Sequence, residues 1–185
     1  MIKILLNILF MLQINSLNIF LTNNNFNNKY INFKNNYNNF NNNFNNNYNN
    51  KFLTLKNNVI ELINNDILLS NNCKIYYESR IKTFNKICYK FLYKNKIPND
   101  IYGLRIIYNL NNNSKNYYYA YYIENLIKTN YLTIDYFYDD YIKFPKKNNY
   151  KSIHLYILNE LIMEIQIRDI YMHINAVNGS ASNYY

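Results

Sequence analysis

The sequence predicts an α+β domain, a mixed β-sheet with helices packed around it, preceded by a polar leader. Three observations carry this. Apolar residues recur at helical spacing in some segments and alternate with polar ones in others. The two kinds of segment interleave along the chain, an order that fits a sheet flanked by helices. A length of 185 residues also suffices for one compact domain plus a tail, and not comfortably for two.

Residues 1–21 open with Lys3 and a short apolar run from Ile4 to Leu12. Gln13, Asn15 and Asn18 break the run before the roughly 20 apolar residues of a bilayer span accumulate. The segment resembles a secretory signal peptide. Residues 22–51 form an Asn-rich tract punctuated by Phe and Tyr, basic, free of acids and without helical or strand period, so disorder is expected. A signal followed by such a transit-like segment looks like the two-part leader of plastids reached through the secretory route. The expected location is therefore a plastid of the apicoplast kind, and otherwise the cytoplasm.

Residues 52–185 make the folded domain. Leu55, Val59, Leu62 and Ile63 predict a first helix to about Asn64. Ile67–Tyr77 reads as extended. Ile81, Phe84, Cys88 and Phe91 form one apolar helical stripe, with Lys82, Lys86, Lys90 and Lys94 on another face. A strand around Ile101–Tyr108, a polar loop Asn111–Lys115 and a Tyr-rich helix over Tyr117–Lys128 follow. Leu132–Phe137 and Ile153–Leu158 are strand-like, Leu161–Arg168 is a clear strand, and the end returns to helix.

The net charge of +9 is misleading when taken whole. Residues 1–60 hold five lysines and no acid, which leaves +4 for the rest. That suits a pocket for nucleotide phosphates and argues against a surface that coats nucleic acid. Cys73 and Cys88 show neither metal spacing nor a CxxC pair, and read as reduced packing residues.

Composition is biased towards Asn, Tyr, Lys and Ile, so the scarce residue types are the informative ones. Only Arg80, Arg105 and Arg168 are arginines among 20 basic residues. Lysine replaces arginine wherever a point charge suffices, but not where a planar guanidinium must stack or grip two acceptors. One of these arginines ends the strand Met163–Arg168, in which Glu164, Gln166 and Arg168 share a face by alternation. By alternation alone, an ordinary solvated sheet face is the commoner reading.

Six blocks then resemble the synthetase domain of RelA/SpoT proteins, in the right order. Pro145–His154 is similar to P-K-x-N-G-Y-Q-S-x-H, and Glu164–Arg168 to E-[IV]-Q-[IL]-R. Met172-His173 and an Ala176…Gly179 turn follow that strand in the expected positions. Ser79–Phe84 resembles a G-R-x-K helix start, Asp100–Arg105 resembles D-[IL]-x-[GA]-[IL]-R, and Asp140–Ile142 matches D-Y-I. All three arginines, both glycines and both histidines fall inside these blocks.

The resemblance implies a nucleotidyltransferase-like mixed sheet and a (p)ppGpp synthetase. Such an enzyme moves pyrophosphate from ATP to the 3′-hydroxyl of GDP or GTP and releases AMP. Carried over, Arg80 and Arg105 would stack on adenine and Lys82 would hold ATP phosphates. Asp100 and Glu164 would hold Mg²⁺, Glu164 also activating the hydroxyl. Lys146, Asn148, Tyr150 and His154 would take the guanine nucleotide, with Tyr150 stacked on the base and Gln166 and Arg168 supporting the same wall. The implied partners are ATP and GDP or GTP, with no membrane once the leader is processed, no nucleic acid, and a homo-oligomer left open.

The chain departs from the family pattern at several places. Asn149 replaces Gly, Lys151 replaces Gln, Asp169 replaces Thr, and Asn183 and Tyr184 replace His and Trp. The acidic pair Asp139-Asp140 resembles the synthetase-only type, and no His-Asp motif of the hydrolase domain occurs. A small stand-alone synthetase is expected, with a catalytically impaired nucleotide- or alarmone-binding module as the alternative.

Overall fold

The computed structural model describes residues 48–82, 99–112 and 114–179. The chain divides into two units, Met1–Asn50 and Lys51–Tyr185, and the fold described here is that of the second. The signal-like segment lies outside the described residues, as does the Asn-rich tract up to residue 47.

Helix α1, described over residues 48–64, reaches further back than the sequence predicts. Its buried stripe is Phe52, Leu55, Val59 and Ile63, whereas Leu62 is only half-buried. Ile67–Asn72 is not extended but a short helix, α2, because the Asp66 carboxylate caps it by accepting the Leu69 N–H at 2.9 Å. The strand begins only at Cys73, as β1 (Cys73–Ile81). Ile81 ends this strand instead of opening a helical stripe, and Phe84, Cys88 and Phe91 lie outside the described residues.

The remaining elements are β2 (Tyr102–Leu110), α3 (Tyr118–Asn130), β3 (Asp139–Asp140), β4 (Ile153–Leu158), β5 (Ile162–Asp169) and α4 (Ile170–Asn178). Leu132–Phe137 forms no strand. It makes a single bridge, Thr133 to Ile157, then a 3₁₀ turn over Asp135–Phe137. Leu132 and Tyr136 are exposed there, so no alternating apolar face exists to be buried.

Among the described residues the sheet has five strands in the order β1-β2-β5-β4-β3. The central pair β2·β5 is parallel and the other pairs are antiparallel, which makes the sheet mixed as expected. One face carries the core: Leu104, Ile106 and Tyr108 of β2, Ile153, Leu155 and Ile157 of β4, and Met163, Ile165 and Ile167 of β5. Ala120, Ile123 and Ile127 of α3 and the α1 stripe belong to the same buried cluster.

The opposite face holds the polar residues, and the register sets them in two rows. Arg80, Gly103, Glu164 and Tyr156 are mutual neighbours across β1, β2, β5 and β4. Glu78, Arg105, Gln166 and His154 form the next row. Residues paired in this way share a face. The face is not solvated: Glu164, Gln166 and Arg168 are 4%, 8% and 2% exposed.

Candidate active site

The first row crosses the sheet at Glu164. Its Oε2 lies 3.5 Å from the Arg80 guanidinium and accepts Gln166 Nε2 at 3.0 Å. Its Oε1 accepts the Tyr156 hydroxyl at 3.0 Å and lies 3.3 Å from His154 Nδ1. Burial works to raise the Glu164 carboxyl, but the His154 hydrogen bond and the Arg80 guanidinium outweigh it, so the group sits below its ordinary value. Glu164 is thus an ionised, buried carboxylate with an organised set of donors.

Asp100 approaches from the segment before β2. Its Oδ2 lies 3.9 Å from the same Arg80 nitrogen and 2.5 Å from Lys82 Nζ. Gly103 lies in the same row and lacks the side chain that would stand between Arg80 and Glu164. A cleft of about 100 Å³ opens there, lined by Arg80, Gly103, Arg105, Glu164 and Gln166 among others.

In the second row, Arg105 donates from Nε to Gln166 Oε1 at 3.3 Å and forms an ion pair with Glu78. Arg105 therefore lies beside Arg80 on the cleft wall, and the three residues expected to take ATP gather on one side of Glu164. Arg80 is the penultimate residue of β1, whereas the sequence reading placed it at the start of a helix.

The guanine-side residues gather on the other side. Between Pro145 and Ser152 the chain turns tightly: Asn149 N–H donates to the Lys146 carbonyl at 2.8 Å, and Asn149 adopts φ 60°. Asparagine tolerates this left-handed conformation, so the replacement of glycine preserves the turn. Asn148 Oδ1 accepts the Tyr150 N–H at 3.3 Å. Tyr150, Tyr141 and His154 meet edge to face, with centroids 5.2–5.9 Å apart. Lys146 Nζ stands 4.2 Å from the Tyr141 ring centroid and 5.2 Å from that of Tyr150. His154 engages both ring nitrogens within the protein, Nε2 with the Tyr150 hydroxyl at 2.8 Å and Nδ1 with Glu164.

Three residues of the site escaped the sequence reading. Tyr156 follows His154 by two on β4, so strand alternation applied from His154 would have found it, whereas Glu78, two before Arg80 on β1, was hidden because Arg80 was read as starting a helix. Tyr141 lies in the Asp140–Ile142 block, which the sequence reading matched without giving its tyrosine a role. Two other residues singled out in the sequence lie away from the chemistry. Asp169 caps α4 by accepting the Met172 N–H at 2.6 Å, and His173 lies 3.7 Å from Glu78 at the margin of the site.

The donor set also bears on a metal. Asp100 and Glu164 present two hard oxygens around one cationic group, Arg80. Among the described residues no cluster of three or more His, Cys, Asp or Glu forms a complete metal cage. Two carboxylates that leave the other positions to water and phosphate oxygens fit Mg²⁺ well.

Residues 79–185 match the family model for the region found in RelA/SpoT proteins. The chain belongs to the RelA/SpoT family. No curated protein gives a significant sequence match. Among solved structures, the small alarmone synthetase 2 of Bacillus subtilis is 28% identical, covering 68% of this chain and 71% of that one, with a TM-score of 0.51. The small alarmone synthetase 1 of Bacillus subtilis bound to its product pppGpp is 21% identical, covers 74% and 77%, and gives a TM-score of 0.55. A GTP pyrophosphokinase family protein from Streptococcus pneumoniae is 21% identical, covers 74% and 73%, and gives a TM-score of 0.55. The last two bear on the fold alone, and they agree with the α+β sheet described above. The six RelA/SpoT-like blocks all lie within the matched region, though Asn183 and Tyr184 fall outside the described residues.

Proposed function

We propose that this RelA/SpoT-family chain is a (p)ppGpp synthetase that transfers pyrophosphate from ATP to the 3′-hydroxyl of GDP or GTP. The observation that carries this is the position of Glu164. It stands between Arg80 and Arg105 on one side and Tyr150, His154 and Lys146 on the other. A donor and an acceptor nucleotide held by these two clusters would meet at one ionised carboxylate.

Arg80 and Arg105 stack on the adenine and Lys82 draws the ATP phosphates. Tyr150 stacks on the guanine, Lys146 and His154 address the acceptor, and Asn148 shapes the turn that presents Tyr150. Glu164 takes the proton of the 3′-hydroxyl as its oxygen bonds to the β-phosphorus. The bond from that phosphorus to the oxygen bridging it to the α-phosphorus breaks, and AMP leaves with that oxygen. Mg²⁺ held by Asp100 and Glu164 would supply charge neutralisation for the transferring phosphates. Arg80 and Lys82, which pair with those carboxylates, would place their charge beside the transferring phosphates. The leader is proposed to direct the chain to a plastid, which fusion of residues 1–51 to a reporter tests.

The test is product formation. Labelled ATP, GDP or GTP and Mg²⁺ incubated with the full chain give tetra- or pentaphosphate. Glu164→Gln lowers the rate about 10²–10⁴-fold, the range for loss of a positioned base. Folded protein that binds both nucleotides without forming product would instead be a binding module.

A further inference from the structure

Arg168 is 2% exposed, yet its Nε is a buried donor with no hydrogen-bond partner among the described residues. A guanidinium kept for stability alone would not leave a buried N–H bare, because such a group carries its full desolvation penalty. Its Nη2 is in contrast used twice. It donates to the Tyr150 hydroxyl at 3.1 Å and to Gln166 Oε1 at 2.7 Å.

Those two bonds close a circuit. From Tyr150 the hydroxyl meets His154 Nε2 at 2.8 Å, and His154 Nδ1 lies 3.3 Å from Glu164 Oε1. From Gln166 the amide nitrogen donates to Glu164 Oε2 at 3.0 Å. The five side chains form a closed ring with Arg168 at one pole and Glu164 at the other.

The proton positions follow from the chemistry of the ends. Guanidinium only donates and carboxylate only accepts. For the ring to close with the Tyr150 proton inside it, Tyr150 oxygen accepts from Arg168 and gives its single proton to His154 Nε2. His154 must then carry its proton on Nδ1, directed at Glu164. Gln166 must turn its oxygen to Arg168 and its amide nitrogen to Glu164, as observed.

We propose that Arg168 is a positioning residue that ties the tyrosine of the guanine side to the acid at the centre of the site through this ring. The inference rests on the synthetase reading for its kinetic consequence, but not for its structural one. A base seated on Tyr150 would bear on the group that hydrogen-bonds Arg168 and His154, and both lead to Glu164.

The experiment uses the full chain labelled with ¹⁵N on histidine, of which there are two. Long-range ¹H–¹⁵N spectra report the tautomer of each ring, and a His173→Asn sample assigns His154. The ring requires His154 to be protonated on Nδ1 alone, and this signature to be lost in Tyr150→Phe and Arg168→Met. A proton on Nε2 in the wild-type chain overturns the proposal, whatever the activity. Steady-state kinetics form the second arm. Tyr150→Phe keeps the stacking ring, so KM for GDP stays close to wild type while kcat falls about 10–100-fold, the usual effect of removing a supporting hydrogen bond. An unchanged kcat, or a loss confined to KM, makes Tyr150 a stacking platform only and refutes the coupling. If Arg168→Met does not fold, Tyr150→Phe and the tautomer decide. If the wild-type chain makes no product, the synthetase reading fails while the tautomer still tests the ring.

Discussion

Gly103 separates stability from activity in a way that the geometry makes quantitative. A Cβ added there would stand 3.5 Å from Arg80 Cγ and Nε and 3.8 Å from Glu164 Oε2, all ordinary contacts. Gly103→Ala therefore fits without displacing anything and gains about 0.4–1 kcal/mol by restricting the unfolded chain. Gly103→Val extends the side chain about 1.5 Å further, one carbon–carbon bond, into the space between Arg80 and Glu164. Arg80 must then withdraw. Its side chain is 49% exposed, so it can swing into solvent and forfeit an ion pair worth about 1 kcal/mol, because Glu164 keeps its Tyr156, Gln166 and His154 partners. The higher strand preference of valine offsets a loss of that size. Global stability should stay within about 1 kcal/mol of wild type, while a displaced Arg80 lowers pyrophosphate transfer about 10²-fold. Urea denaturation measures the first quantity and labelled product the second. A valine variant with wild-type kcat/KM, or an alanine variant that is clearly destabilised, would refute the reasoning.

Two further outcomes follow from the site. The Glu164 carboxyl is held below its ordinary value, so the unfolded chain takes up this proton first as pH falls. Its contribution is present above the usual glutamate pKa of about 4.3 and lost below it. Melting curves from pH 7 to pH 3 should show wild type falling towards Glu164→Gln, and parallel curves would show that Glu164 makes no net favourable interaction. At Asn149, where φ is 60°, Asn149→Gly should be nearly neutral while Asn149→Val costs about 1–2 kcal/mol. Because the turn delivers Tyr150, the valine variant should also raise KM for the guanine nucleotide, and equal KM values across the pair would detach the turn from the site.

Local pattern carried much of this site. Alternation alone put Glu164, Gln166 and Arg168 on one face of β5, and helical spacing found α1 and most of α3. What alternation could not show was burial, since a polar face looks the same whether water or other side chains cover it. Here Tyr156, Arg80 and the Tyr150–His154 pair cover it, and they come from β4, β1 and the turn before β4. Glu78 was missed for a related reason. It matters because the register sets it opposite Arg105, and register between β1 and β2 is a non-local property. The two misread segments failed locally: the Asp66 cap outweighed an extended-looking run, and Leu132–Phe137 lacked a face to bury.

The scarcity of arginine can now be given a physical meaning. Arg105 binds Gln166 through Nε and Glu78 through another nitrogen, so two separated acceptors are held by one rigid plane. Arg168 serves Tyr150 and Gln166 from one nitrogen while fully buried, where burial pushes its pKa down to about 10. An ammonium starts from a lower pKa and would lose its proton more readily under the same burial, and with it the charge that orders the ring. Arg80 stands within 4 Å of both Asp100 and Glu164, bridging acids on different segments. Lysine does appear where one contact is enough, as Lys82 does on Asp100. In a chain whose composition favours lysine, arginine persists at three positions, and at each of them the guanidinium faces two side chains at once.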